Sequence, residues 1–240
     1  RLSQLDGFNM LLWRGGLSGL AYFIIWLWMR GPRDLSNIWT RNFAIIVACQ
    51  TSNAALFSLA IAIAPVTVVL IGVATVPIFA AILSRVILGE ALSMRTLITA
   101  AMVFLGLFIS VMGSDDGQIK LDLITLIGAG LGLGVAFSLA MNFTVIRKDP
   151  EVPFVLAIAI GAVSAAGLAA FFATTLAWPP LPQMAAIALT GIFILPLSFV
   201  TLSYAARFVP SSTVSLIMLL ETILGPLWVW WGIDEAPSAA

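Results

Sequence analysis

Stretches of about twenty apolar residues follow one another along nearly the whole chain, separated by short breaks. A hydrocarbon layer about 30 Å thick is crossed by roughly 20 residues of helix, and eight such runs are present: Phe8–Met29, Phe43–Ile63, Val66–Leu88, Thr96–Met112, Leu121–Ile146, Pro153–Leu176, Met184–Phe208 and Val209–Gly232. The breaks are rich in Gly, Pro and Asp, as in Gly31-Pro32-Arg33-Asp34, Gly113-Ser114-Asp115-Asp116-Gly117 and Pro179-Pro180-Leu181-Pro182. None is long enough to fold as a soluble domain. With 61% hydrophobic and 9% charged residues and a mean hydropathy of +1.11, the expectation is one all-α, multi-pass transmembrane domain whose functional site lies among its helices.

Several function classes drop out at once. The chain contains no histidine, which removes His-based triads, the HExxH zinc motif and histidine proton relays. Its formal net charge is zero and its charges are scattered, so no nucleic-acid partner is expected. The one cysteine, Cys49, sits in an apolar run and is expected to pack. No metal or other cofactor is expected. If the loops alternate sides, one set carries Arg30, Arg33, Arg41, Arg85, Arg95, Arg147, Lys148 and Arg207, and the other only Arg1 and Lys120. The positive-inside rule makes the first set cytoplasmic.

An internal repeat gives the organisation. Pro65 to Glu90 recurs as Pro210 to Glu235, a shift of 145 positions at both ends, and Ser58/Ser203, Ala60/Ala205 and Ser93/Ser238 match at the same shift. The first and second runs then fall on the sixth and seventh. The fifth run would have its counterpart before residue 1, and the fourth after residue 240. Residues 1–113 are therefore expected to form a first repeat lacking its first helix, and residues 121–240 a second lacking its last. Five helices per repeat is odd, so equivalent helices cross in opposite senses. The result is a ten-helix bundle of two inverted five-helix repeats, eight helices of which this chain carries. Inverted repeats recur in secondary transporters, which rock one repeat against the other around a midplane site.

Trp13-Arg14 in an early span, Val76-Pro77-Ile78-Phe79 leading to Leu88-Gly89-Glu90-Ala91-Leu92, and a second copy with Leu220-Glu221 closing on Asp234-Glu235-Ala236 together resemble the EamA-like family of the drug/metabolite transporter superfamily. The resemblance extends over essentially the whole chain. It implies ten transmembrane helices in two inverted repeats, a central substrate cavity and, commonly, export of amino acids or other small metabolites from bacteria. The chain departs from the pattern at Thr222, where the family often has proline, so Pro226 would supply any helix break one turn later.

The candidate substrate-binding residues are Trp13, Arg14, Gln50, Asn53, Phe79, Asn142, Tyr204 and Glu221. Glu221 stands deep in its span where the first repeat has Val76, and Arg14 is the basic residue farthest inside a span. A charged group there costs about 2.5 to 3.5 kcal/mol and usually faces a partner or a wet cavity. The two could hold the ends of a zwitterion, with Glu221 in addition taking up a proton, or they could form a structural ion pair. Gln50 with Asn53, Ser138 with Asn142 and Thr201 with Tyr204 each share a helical face, suited either to a polar cavity or to bonds between helices. Trp13, Phe57 and Phe79 could stack on substrate or simply pack.

Pro77, Pro196 and Pro226 remove backbone hydrogen bonds inside spans and are candidate hinges. Glu90 and Glu235 are candidate helix-end or gate contacts on opposite faces. Gly128 with Gly132, and Gly130 with Gly134, would let a neighbouring helix approach closely. Trp228, Trp230 and Trp231 read as an interfacial belt.

The expected function is secondary transport of small polar metabolites across a bacterial inner membrane, as an exporter working by alternating access, with a small-molecule substrate and the bilayer as partners and the monomer as the working unit. Two alternatives stand beside it. An intramembrane enzyme acting on lipid or peptide would need paired catalytic groups at depth, which are not evident here. A scaffold or channel would have no need of the asymmetric Glu221.

Overall fold

The computed structural model describes residues 7–29, 35, 37–90, 94, 98, 101, 102, 105, 123–173 and 178–218. Among them there is helix and no strand. Six helical segments are long and apolar enough to cross a membrane, by length and composition. Most of the expected spans Thr96–Met112 and Val209–Gly232, with the tryptophans of the expected belt, lies outside the described residues.

The first span is α1 (Gly7–Met29) and the second α2 (Arg41–Ile63). Thr40 caps α2 by accepting a hydrogen bond from the Phe43 amide at 3.2 Å, the usual role of a threonine at that place. Pro65 stops α2 and opens the third span, since its missing N–H is harmless at a helix start.

The third span is broken. It comprises α3 (Val66–Val73) and α4 (Val76–Leu83), followed by a π-helical turn at Ser84–Leu88. Pro77, in the first turn of α4, cannot donate to the Val73 carbonyl, and at the break the Thr75 hydroxyl donates to Gly72 O at 2.6 Å. Gly89 ends the span at φ +71°, a left-handed conformation that favours glycine.

The next spans are α5 (Leu123–Lys148) and α6 (Phe154–Phe172). The last full span comprises α7 (Leu181–Ala188), a π-helical turn at Leu189–Ile194 and α8 (Leu195–Ala205), with Pro196 in the first turn of α8. It starts three residues earlier than its hydropathy suggests, at the Pro179–Pro182 run. Residues 211–218 form a further helix, α9.

The packing directions agree with alternate crossing. Asn42 reaches Asp149 at one end, Gly134 faces Leu56, and Gly128 faces Ala64 at the other, so α5 runs antiparallel to α2. Phe8 meets Phe172, and Gly15 and Gly19 meet Ala159 through Ala166, so α1 runs antiparallel to α6. Gly132 sits against Val69 and Gly72, where a Cβ on Gly72 would come within 2.8 Å of the Gly132 Cα. Only glycine permits that approach. Of the two expected glycine pairs, Gly128 and Gly132 make it, whereas Gly130 faces open space.

Arg41, Arg85, Arg147, Lys148 and Arg207 all lie at one end of the bundle, at the start of α2, the end of the third span, the end of α5 and just past α8. The outer surface is a band of exposed leucine, isoleucine and phenylalanine, with Trp28 and Trp39 near the basic end and Trp178 near the other. Such a band suits lipid rather than water.

Candidate functional site

The buried stripe of α2 reads Phe43, Ile46, Gln50, Asn53, Ala60, which puts two carboxamides inside an otherwise apolar seam. Gln50 is 5% exposed, and its Cβ and Cγ occupy the space a side chain on Gly161 of α6 would need. Its Oε1 has no hydrogen-bond partner. Across the seam, Asn142 of α5 is 1% exposed, and neither its Oδ1 nor its Nδ2 is paired. The antiparallel register set by Asn42/Asp149, Leu56/Gly134 and Ala64/Gly128 brings Asn142 level with Gln50 and Ser138 level with Asn53. The Ser138 hydroxyl is spent on its own helix, donating to Gly134 O at 2.9 Å. Each unpaired buried polar group costs about 1 to 3 kcal/mol. This belt therefore holds hydrogen-bonding capacity that the described protein does not use.

Arg14 lies two turns into α1 and makes no hydrogen bond or ion pair with a described residue. Its backbone carbonyl is close to Gly191, in the π-helical turn of the last span, where an added Cβ would come within 3.2 Å. Two turns along, the Tyr22 hydroxyl donates to Leu195 O at 3.0 Å. α1 is thus fastened to the neighbouring span at Gly191 and Leu195, both just ahead of Pro196. Val76, the repeat counterpart of Glu221, is fully buried at the start of α4.

The aromatic candidates have ring partners away from this belt. Trp13 packs on Trp178 at a centroid distance of 4.6 Å, and Phe79 sets its ring edge-on to Phe137 at 5.9 Å. Tyr204 is half exposed and lies against Phe208. Pro77 and Pro196 each open the second half of an interrupted span. Glu90 accepts from Arg147 at 2.7 Å, joining the end of the third span to the end of α5. Glu221, Pro226 and Glu235 lie outside the described residues.

Two features escaped the sequence. Ser84, Thr144 and Ser211 meet in a buried hydroxyl cluster, and Arg207 reaches from the end of α8 to the start of α6, donating to Val152 O at 3.0 Å with its guanidinium over the Phe154 ring. The only sequence signal for the first was hydroxyl residues near span ends, which are common.

The sequence profile of the EamA-like transporter family matches residues 1–112. Residues 1–112 belong to that family. It falls within the drug/metabolite transporter superfamily, and the matched residues include Arg14, Gln50 and Asn53 and the interrupted third span. No curated protein matches the chain. One solved crystal structure superposes with a TM-score of 0.80 at 16% sequence identity, covering 98% of this chain and 82% of that one. At that identity the likeness shows the fold alone.

Proposed function

We propose that the protein is a secondary carrier that moves small polar metabolites, amino acids foremost, out of a bacterial cell across the inner membrane by alternating access. The observation that carries this is the pair of carboxamides, Gln50 and Asn142, level with one another inside the bundle of an EamA-like transporter with unpaired acceptor and donor atoms. A solute with both donors and acceptors, passing between these helices, would satisfy groups that otherwise cost stability. Arg14 and Glu221 would hold its charged ends, with proton uptake at Glu221 as a means of coupling. The positive-inside rule supports a cytoplasmic basic end.

The inverted-repeat architecture draws support from packing. The 145-residue shift carries α1 onto α6 and α2 onto the α7–α8 span. Just as α6 packs on α2 through Gly161 and Gln50, α1 packs on the α7–α8 span through Gly191 and Tyr22. A pseudo-twofold axis relating the repeats would pair these same helices, although the contacts fall at different positions, since Gly16, the counterpart of Gly161, faces open space.

Counterflow of labelled amino acids in proteoliposomes tests the proposal. The wild-type protein is expected to exchange label, and Asn142→Leu to lose at least about tenfold in rate while melting higher in detergent, because an unpaired amide has been replaced by an apolar side chain of similar size. Full exchange by a folded Asn142→Leu protein overturns the assignment of the belt.

A further inference from the structure

We infer that the hydroxyls of Ser84, Ser211 and Thr144 form a latch that holds the basic end of the molecule closed, and that this latch must open during the transport cycle. The inference rests on the carrier function proposed above.

Proton counting fixes the direction of the cluster. The Thr144 hydroxyl donates its one proton to Ala140 O at 2.8 Å, so in its 3.3 Å contact with Ser211 it accepts. Ser211 spends its proton on Thr144, so in the 2.6 Å contact with Ser84 it accepts in turn. A single directed chain therefore runs from Ser84 through Ser211 and Thr144 to the backbone of α5. Chains of this kind polarise one another and are strongest away from water. Ser84 is 5% exposed, and Ser211 and Thr144 are fully buried.

The three residues come from elements that alternating access would have to separate. Ser84 begins the π-helical turn that ends the third span, within the Pro65 to Glu90 repeat. Ser211 follows Pro210, which opens the second copy of the same repeat. The end of one copy is therefore bonded to the start of the other, at the end of the bundle that carries Arg85, Arg147 and Arg207. A π-helical turn is a costly local geometry that tends to mark functional positions, and here it places Ser84. Glu90, just beyond it, is held by Arg147 and ties the same span end to α5.

The test reads access from the basic face and needs no substrate. With Cys49 replaced by alanine, Ser215→Cys places a fully buried thiol one turn beyond Ser211 on α9. A membrane-impermeant maleimide is applied from either side of oriented vesicles. Adding Ser84→Ala removes one bond of the chain and is expected to speed labelling from the basic face about fivefold, with labelling from the other face unchanged or slower. Ser84→Thr keeps the hydroxyl and is expected to restore the slow rate. Equal acceleration from both faces, or none, in protein that still elutes as a single folded species overturns the latch. If Ser84→Ala does not fold, Thr144→Val in the same assay carries the same two outcomes. Failure of wild-type counterflow, with the labelling result intact, strikes the carrier function and leaves the gated basic end standing.

Discussion

The two ends of this bundle are finished differently. At the basic end, Arg207 crosses from α8 to the start of α6, Glu90 meets Arg147, Asn42 meets Asp149, and the Ser84–Ser211–Thr144 chain lies just inside. At the opposite end, α1, α2 and α6 leave a cleft of about 300 Å³ with Phe8, Leu11, Leu56, Leu59, Leu168 and Phe172 among its walls. Ser58 alone among the lining residues carries a polar side chain. The 145-residue shift places Ala62, in that cleft, on Arg207, and Asn9 on Phe154. The Arg207–Phe154 pair of the basic end therefore answers to residues of different chemistry at that shift.

That contrast can be broken experimentally, and the largest effect is expected at Phe154. This ring is 3% exposed and lies under the Arg207 guanidinium at 4.6 Å. Phe154→Ala is expected to cost about 3 to 5 kcal/mol, read as a lowered melting temperature in detergent. Phe172→Ala at the cleft, where the ring is 60% exposed, should cost no more than about 1 kcal/mol on the same scale. Equal losses would erase the distinction between the ends.

Arg207→Ala comes next, at about 1.5 to 3 kcal/mol, since it removes a charge-assisted bond to Val152 and the contact with the ring. Arg207→Lys should recover only part of this, because a lysine cannot lay a planar guanidinium on the ring while bonding the carbonyl. The smallest effect belongs to Glu90→Gln. The Glu90–Arg147 side chains are 30% and 21% exposed, so the loss should be about 1 kcal/mol or less and should shrink as salt is added. An insensitivity to salt would mean that the pair is more sealed than its exposure indicates.

Much of this architecture could be read along the chain, and particular residues show why. Pro65 closes α2 and opens α3 as its chemistry demands, Gly89 ends a span in the one conformation that favours glycine, and the described arginines of one loop set gather at one end. The interruption of the third span was foreshadowed by Pro77, although the break itself lies earlier, at Ala74 and Thr75. By contrast, nothing local distinguished Ser84, Thr144 and Ser211 from the other hydroxyl residues of the spans, nor Tyr204, which is half exposed, from Asn142, which is sealed.

The division has a single physical cause. Length, apolarity, proline and charge act within one helix, so the sequence alone determined that the described spans are present, roughly where they begin and end, and that their basic residues share one end. Which faces meet is another matter. In a soluble helix an apolar stripe marks the buried side, but lipid is as apolar as a protein interior, and these helices are hydrophobic all round. Only the tertiary structure decided that Gly132 would sit on Gly72, that Gln50 and Asn142 would stand level, and that Ser84 would bond to Ser211.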